Sequence, residues 1–183
     1  MGSAVARHPS LAGHRAPAAR PLARGYLRHA ERPRDLNALI DTNVLVRAAD
    51  SVDPAHRTAI EGLIRLRRAG TALWVAAQSV IEFWNVVTRP VSSNRLGWPI
   101  EAALAERRRI EQLYRLVPDE PGIYEKWRAL VDEHRVAGRQ VFDARLVAIM
   151  LIAEIDGIVT FNRADFIRYG VAVLDPAADS RLF

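Results

Sequence analysis

The chain has 183 residues, of which 50% are hydrophobic and 26% charged, a composition that suits one globular domain with a substantial core. It contains no cysteine, which excludes disulfides, thiolate metal sites and a cysteine nucleophile, and which fits the reducing cytoplasm. No apolar run approaches the roughly 18 residues of a membrane span, so we expect a cytoplasmic protein with no membrane partner.

The net charge of +5 is unevenly distributed. Seven of the 26 basic residues but only two of the 21 acidic residues lie in residues 1–36, so residues 37–183 hold 19 of each and are neutral. Residues 1–35 are rich in arginine, alanine and proline without sustained periodicity, which predicts a disordered basic extension before a domain at 36–183. An arginine-rich, acid-poor start is also compatible with a transit peptide.

Residues 38–43 (ALIDTN) open the predicted domain. Three apolar residues followed by polar ones are typical of a buried strand in a parallel sheet, with Asp41 at its carboxyl end. Ligands bind at that edge in open α/β sheets. Asp41 is therefore either the N-cap of the next helix or a site residue, and the local pattern alone leaves both open.

Strands and helices alternate along the chain. The strands are predicted at residues 38–40, 72–76, 116–117, 157–161 and 171–174. The helices are predicted at residues 44–49, 54–69, 79–89, 99–112, 121–136 and 142–153, with Asp53 capping the second helix and Pro54 as its first residue. This alternation predicts an α/β fold with a central parallel sheet of about five strands, flanked by helices on both faces.

Acidic residues recur beside the predicted strand ends. They are Asp41 after the first strand, Glu82 after the second, Asp143 at the start of the most apolar helix and Asp165 after the fourth strand. Glu82 also lies three residues after Ser79, the spacing of a capping box, so a structural role competes there. Two carboxylates ~4 Å apart repel by about 4 kcal/mol at an effective dielectric of 20. Convergence of all four therefore requires a hard divalent cation such as Mg²⁺ or Mn²⁺.

Four segments carry a family resemblance, in the same order as in that family. They are residues 38–46 (ALIDTNVLV), 79–90 (SVIEFWNVVTRP), 141–148 (VFDARLVA) and 160–176 (TFNRADFIRYGVAVLDP). Together they resemble the motifs of PIN-domain ribonucleases, in particular the VapC-type toxins of bacterial toxin–antitoxin pairs. The resemblance implies a PIN-like fold over most of residues 36–183 and an endoribonuclease that cleaves RNA with Mg²⁺ or Mn²⁺.

The resemblance also assigns roles to single residues. By motif, the acidic quartet of the family corresponds to Asp41, Glu82, Asp143 and Asp165. Asp41 and Asp143 would hold the metal ion most directly, and Asn43 and Asn162 would orient the substrate. Relatives often have histidine before the third acid, where this chain has Phe142, so no role of that histidine transfers.

The family implies two protein partners, a VapB-type antitoxin and a second copy of the chain in a homodimer. An exposed loop at Trp98 and the arginine clusters are candidate contact surfaces. The main alternative is a catalytically silent PIN-fold module that binds RNA or a protein. Phosphatases and receiver domains also place an aspartate after the first strand, but they use a lysine near the phosphoryl group. The one lysine here, Lys126, lies in a helix remote from any strand end.

Overall fold

The computed structural model describes residues 36–93 and 96–178. The predicted basic extension at residues 1–35 lies outside the described residues. Within the described part of the chain, no helix is both long enough and apolar enough to cross a bilayer.

Five strands and seven α-helices make up the described chain. The strands are β1 (Asn37–Ile40), β2 (Ala72–Ala76), β3 (Arg115–Val117), β4 (Gly157–Val159) and β5 (Ala172–Leu174). The helices are α1 (Thr42–Ala49), α2 (His56–Arg68), α3 (Ala77–Thr88), α4 (Ile100–Leu113), α5 (Ile123–His134), α6 (Gln140–Ile152) and α7 (Arg163–Phe166). Short 3-10 turns lie at Val91–Ser93 and Ile167–Tyr169.

The strands form one parallel sheet in the order β3-β2-β1-β4-β5. The order reverses between β1 and β4, which are neighbours although most of the domain separates them in sequence. Their register pairs Ile40 with Val159, so the residues that follow, Asp41 and Thr160, emerge side by side at the carboxyl edge. Such a reversal point is where open α/β sheets bind ligands.

Alternate strand residues point to opposite sides of the sheet. Both faces therefore carry apolar side chains, and helices cover both. Ala38 and Ile40 pack with α1 to α4 in one buried cluster. Leu39 packs on the other side with α5, α6 and α7. The helix α6 is buried over most of its circumference, as its apolar sequence predicts. The predicted five-stranded α/β architecture is thus confirmed.

Two predicted helix starts are wrong. The helix α2 begins at His56, because the side chain of Asp53 instead accepts a hydrogen bond from the Ala55 N–H at 2.7 Å, in a turn before the helix. The helix α3 begins at Ala77, so Ser79 lies inside its first turn and forms no capping box. Its hydroxyl donates to the carbonyl of Ile40 at 3.3 Å and ties α3 to the sheet.

The end of the fourth strand and the exposure of the Trp98 side chain also differ from prediction. The strand β4 ends at Val159, because Thr160 turns its hydroxyl towards Asp41. Trp98 is partly buried, with its ring edge-on to Phe83 at 6.3 Å between centroids. Its ring therefore packs against the core, whereas Pro90, Val91 and Gly97 of the same loop are exposed, and the loop as a contact surface stays a prediction.

Candidate active site

A groove of about 610 Å³ opens at the carboxyl edge of the sheet. All six side chains singled out from the sequence line it: Asp41, Asn43, Glu82, Asp143, Asn162 and Asp165. Four of these are carboxylic acids, and they come from four separate segments of the chain. The sheet topology therefore brings the predicted constellation to one place.

Asp41 lies at the base of this groove and is almost fully buried. It occupies the N-cap position of α1 but forms no side-chain cap hydrogen bond. Its Oδ2 atom instead accepts hydrogen bonds from the Thr160 hydroxyl, at 2.7 Å, and from the Asn43 amide. Burial raises the pKa of Asp41 from 3.8 to about 6, against the opposing effect of the Thr160 hydrogen bond. Asp41 thus stands at the N-cap position, but its side-chain hydrogen bonds go to Thr160 and Asn43 instead of capping the helix.

Asn43 connects the two backbone segments that follow β1 and β4, on either side of Asp41. Its Nδ2 atom donates to Asp41 and, at 2.9 Å, to the hydroxyl of Thr160. Its Oδ1 atom accepts from the backbone N–H of Phe161 at 3.2 Å. Both ends of the amide are thus bonded to protein, an arrangement that holds Asp41 in place.

Asp143 lies in the first turn of α6 and faces the other acids. Burial raises its pKa from 3.8 to about 7, and the nearby negative charges of Asp165, Asp41 and Glu82 add to the rise. None of the hydrogen bonds among the described residues involves this side chain. Its carboxylate is therefore repelled by its neighbours, and the positive charge of Arg168 opposes the rise in its pKa.

Glu82 projects from α3, and both of its oxygens are held. The hydroxyl of Thr42 donates to Oε2 at 3.0 Å, and the amide of Gln78 donates to Oε1 at 2.8 Å. These bonds fix the direction of a side chain that would otherwise turn away from the other carboxylates.

Asn162 and Asp165 lie on the turn that leads into α7. The backbone N–H of Asn162 donates to the Thr160 hydroxyl at 3.0 Å, and its exposed side chain faces the groove. Asp165 is partly buried one turn further on, and its N–H donates to the carbonyl of Asn162 at 3.1 Å. Thr160 thereby couples the position of this turn to that of Asp41.

The groove is strongly acidic at its centre and carries arginines at its rim. None of the salt bridges among the described residues involves Asp41, Glu82, Asp143 or Asp165. Arg47 and Arg139 line the groove, with the Arg47 guanidinium 4.8 Å from the ring centroid of Phe161. Across residues 36–93 and 96–178, no three acidic or histidine side chains are close enough to ligate one metal ion together.

Three residues of this site were not anticipated from the sequence: Thr42, Gln78 and Thr160. Thr160 carried a usable signal, because it follows a buried strand just as Asp41 does. Thr42 and Gln78 carried none, since each is polar at a helix start, where polar residues are ordinary.

The fold and site define an α/β domain whose parallel sheet reverses strand order beside a groove lined with carboxylates. Within that class, the chain belongs to the PIN-domain family, whose family model, described as PIN domain, matches residues 38–172.

Individual relatives agree with this assignment. Ribonuclease VapC24 of Mycobacterium tuberculosis is 30% identical over 140 residues, which cover 75% of this chain and 94% of the relative. The crystal structure of VapC20 from the same species, described as a toxin that cleaves the sarcin–ricin loop, matches with a TM-score of 0.55 at 20% identity. That match covers 74% of this chain and 96% of VapC20.

A further solved structure matches over a similar length. FitAcB of Neisseria gonorrhoeae gives a TM-score of 0.53 at 19% identity, covering 76% of this chain and 97% of that chain. At these identities the structural likeness shows the fold alone, and the family model over residues 38–172 confirms the expected family.

Proposed function

We propose that this protein is an endoribonuclease that hydrolyses RNA phosphodiester bonds with Mg²⁺ or Mn²⁺, and that it is the toxin of a toxin–antitoxin pair. The observation that carries the proposal is the convergence of four carboxylates, without a salt bridge among the described residues, in one groove. The chain that builds this groove is 30% identical to a protein named as a ribonuclease.

The side chains fit a hard divalent cation. They offer only oxygen ligands, and burial together with like charges raises the pKa of Asp143, so a cation would relieve the repulsion. Mg²⁺ is usually held by one or two carboxylates and several waters, and we assign Asp41 and Asp143 to this role. When bound, such an ion lowers the pKa of water and stabilises negative charge on a phosphate. Glu82 and Asp165 would orient the attacking water.

The rim supplies contacts for the nucleic acid. Guanidinium groups pair with phosphate oxygens in a bidentate manner, so Arg47 and Arg139 would contact the phosphates on either side of the scissile bond. The exposed amide of Asn162 would orient the substrate. Asn43 would act indirectly, since both ends of its amide are already bonded to protein.

A matched structure supports the proposed antitoxin partner. One matched structure is a toxin–antitoxin complex from Klebsiella pneumoniae, with a TM-score of 0.54 at 19% identity. We propose that a VapB-type antitoxin neutralises this chain, that the chain forms a homodimer, and that it acts in the cytoplasm on cellular RNA.

The test compares RNA cleavage by the wild-type protein and Asp143→Asn in Mn²⁺. Asp143 is the sharpest target, because no described hydrogen bond is lost with it. We expect cleavage to fall by at least about 10²-fold, roughly 2.7 kcal/mol of barrier. The metal-free melting temperature should stay equal or rise, because repulsion is relieved.

The matched control is Asp132→Asn, which changes an exposed acid on α5 and should leave cleavage unchanged. Wild-type protein that binds RNA but leaves it intact in both Mg²⁺ and Mn²⁺ would identify a non-catalytic binding module instead.

A further inference from the structure

A buried glutamine, Gln78, joins the two helices that carry Glu82 and Asp143. It is the second residue of α3, one turn before Glu82, and only 8% exposed. Its Nε2 atom donates to Glu82 Oε1 at 2.8 Å and to the carbonyl of Phe142, the residue before Asp143, at 3.0 Å. Its Oε1 atom accepts from Nη1 of Arg145 at 3.0 Å.

The partners of Gln78 require an amide at this position. A carboxylate and a backbone carbonyl only accept hydrogen bonds, whereas a guanidinium only donates. The Gln78 nitrogen must therefore face Glu82 and Phe142, and its oxygen must face Arg145, which settles the amide orientation. A glutamate here would repel the first two groups, and an apolar side chain would leave three partly buried polar groups without this partner.

Arg145 is itself held away from Glu82. Its Nη2 atom donates to Asp119, in the loop after β3, at 2.9 Å. Gln78 lies between this guanidinium and Glu82, so the two opposite charges do not pair directly. Without Gln78, the guanidinium would be free to approach Glu82 and draw its carboxylate out of the groove.

We infer that Gln78 is a positioning residue that holds the Glu82 carboxylate at its place beside Asp143, and that Arg145 and Asp119 anchor it. The bond to the Phe142 carbonyl is central, because it links the start of α6, and with it Asp143, to the helix that carries Glu82. This inference rests on the proposed function, since the geometry matters for a metal-dependent reaction.

The test is Gln78→Leu in the full-length protein, with Mn²⁺ affinity measured by titration calorimetry beside RNA cleavage. We expect Mn²⁺ binding to weaken by about 10- to 100-fold, the range found when hydrogen-bond partners of metal-site residues are removed. The matched control is Ser79→Ala, which also removes a buried hydrogen bond from the first turn of α3. It should leave both readouts within about twofold of wild type.

Two further variants keep the test decisive. If Gln78→Leu does not fold, Arg145→Met perturbs the same chain of bonds from a partly exposed position, and it should weaken Mn²⁺ binding by about 10-fold, the low end of the same range. In a Glu82→Gln background, Gln78→Leu should cause a smaller loss than in the wild-type chain, because part of its effect acts through Glu82.

The outcomes separate the two proposals. Unchanged Mn²⁺ affinity in folded Gln78→Leu, or additive losses in the double variant, would overturn the positioning role while leaving the proposed function intact. A wild-type protein that neither binds Mn²⁺ nor cleaves RNA would overturn the proposed function, and this inference with it.

Discussion

At the scale of single residues, Asp41 and Asp143 have pKa values well above the usual value of an aspartate. Burial comes first among the causes that raise their pKa values, to about 6 and about 7 respectively. For Asp143 the neighbouring carboxylates add to the effect, and no described hydrogen bond offsets it. Both groups are thus easier to protonate in the folded chain than in the unfolded chain, where a pKa of 3.8 is usual.

This difference predicts a pH-dependent stability. Between about pH 4 and pH 7, the folded state binds more protons than the unfolded state at these two groups. Their contribution to the free energy of unfolding therefore falls as pH rises through this window. Urea denaturation of metal-free protein at several pH values measures it, and Asp143→Asn should flatten the slope. An equally steep slope in that variant would contradict the assigned cause.

Added Mn²⁺ should oppose this trend, because metal binding requires the deprotonated carboxylates and grows stronger as pH rises.

At the level of elements, a glycine in α2 permits the segment after β5 to lie directly against the helix. A Cβ atom built on Gly62 would lie 2.7 Å from the carbonyl oxygen of Pro176 and 2.8 Å from its Cα atom. Arg65, one turn later, donates from Nη2 to the same carbonyl oxygen at 2.8 Å. The close approach thus positions the end of the described domain.

Gly62→Ala tests this packing. In an open helix the change would stabilise by up to about 1 kcal/mol through helix propensity. Here the clash is with backbone, which cannot rotate away, so we expect a net destabilisation of about 1–3 kcal/mol by urea denaturation. Arg68→Ala, on an exposed position of the same helix, should change stability by less than about 0.5 kcal/mol. A more stable Gly62→Ala protein would show that the segment after β5 moves freely.

On the scale of the whole molecule, charge is divided between two parts of the chain. The positive excess belongs to residues 1–36, while the remaining chain is neutral and its groove is acidic at the centre. Sequence-independent attraction to a phosphate backbone would therefore come from the extension, and catalysis from the domain.

Deleting residues 1–35 tests this division of labour. The truncated protein should bind single-stranded RNA more weakly at low salt, with a shallower dependence of the logarithm of affinity on the logarithm of salt concentration. Its cleavage rate at saturating RNA should match that of the full chain. A lower rate at saturation would place the extension in the active site, and loss of folding would move the domain boundary upstream of Leu36.

Much of the fold and the list of candidate site residues could be predicted from the sequence alone, because both depend on local sequence patterns. Within the described residues, apolar runs and amphipathic periods located every strand and every α-helix except the four-residue α7, with most ends within two residues. Acids placed directly after strands, such as Asp41, were bound to meet at one edge once the sheet was parallel. The four motifs then indicated the family that the 38–172 match confirms.

Only the tertiary structure decided what each of these side chains touches. Asp41 and Glu82 both occupy positions where helix capping was a reasonable prediction, yet Asp41 bonds to Thr160 and Glu82 to Thr42 and Gln78. The partners Asp41 and Thr160 are 119 positions apart and meet because β4 lies beside β1. Hydrophobic periodicity records which face of an element is buried, but not which element lies next to it. Contacts that depend on strand order and register therefore arise only when the sheet is assembled.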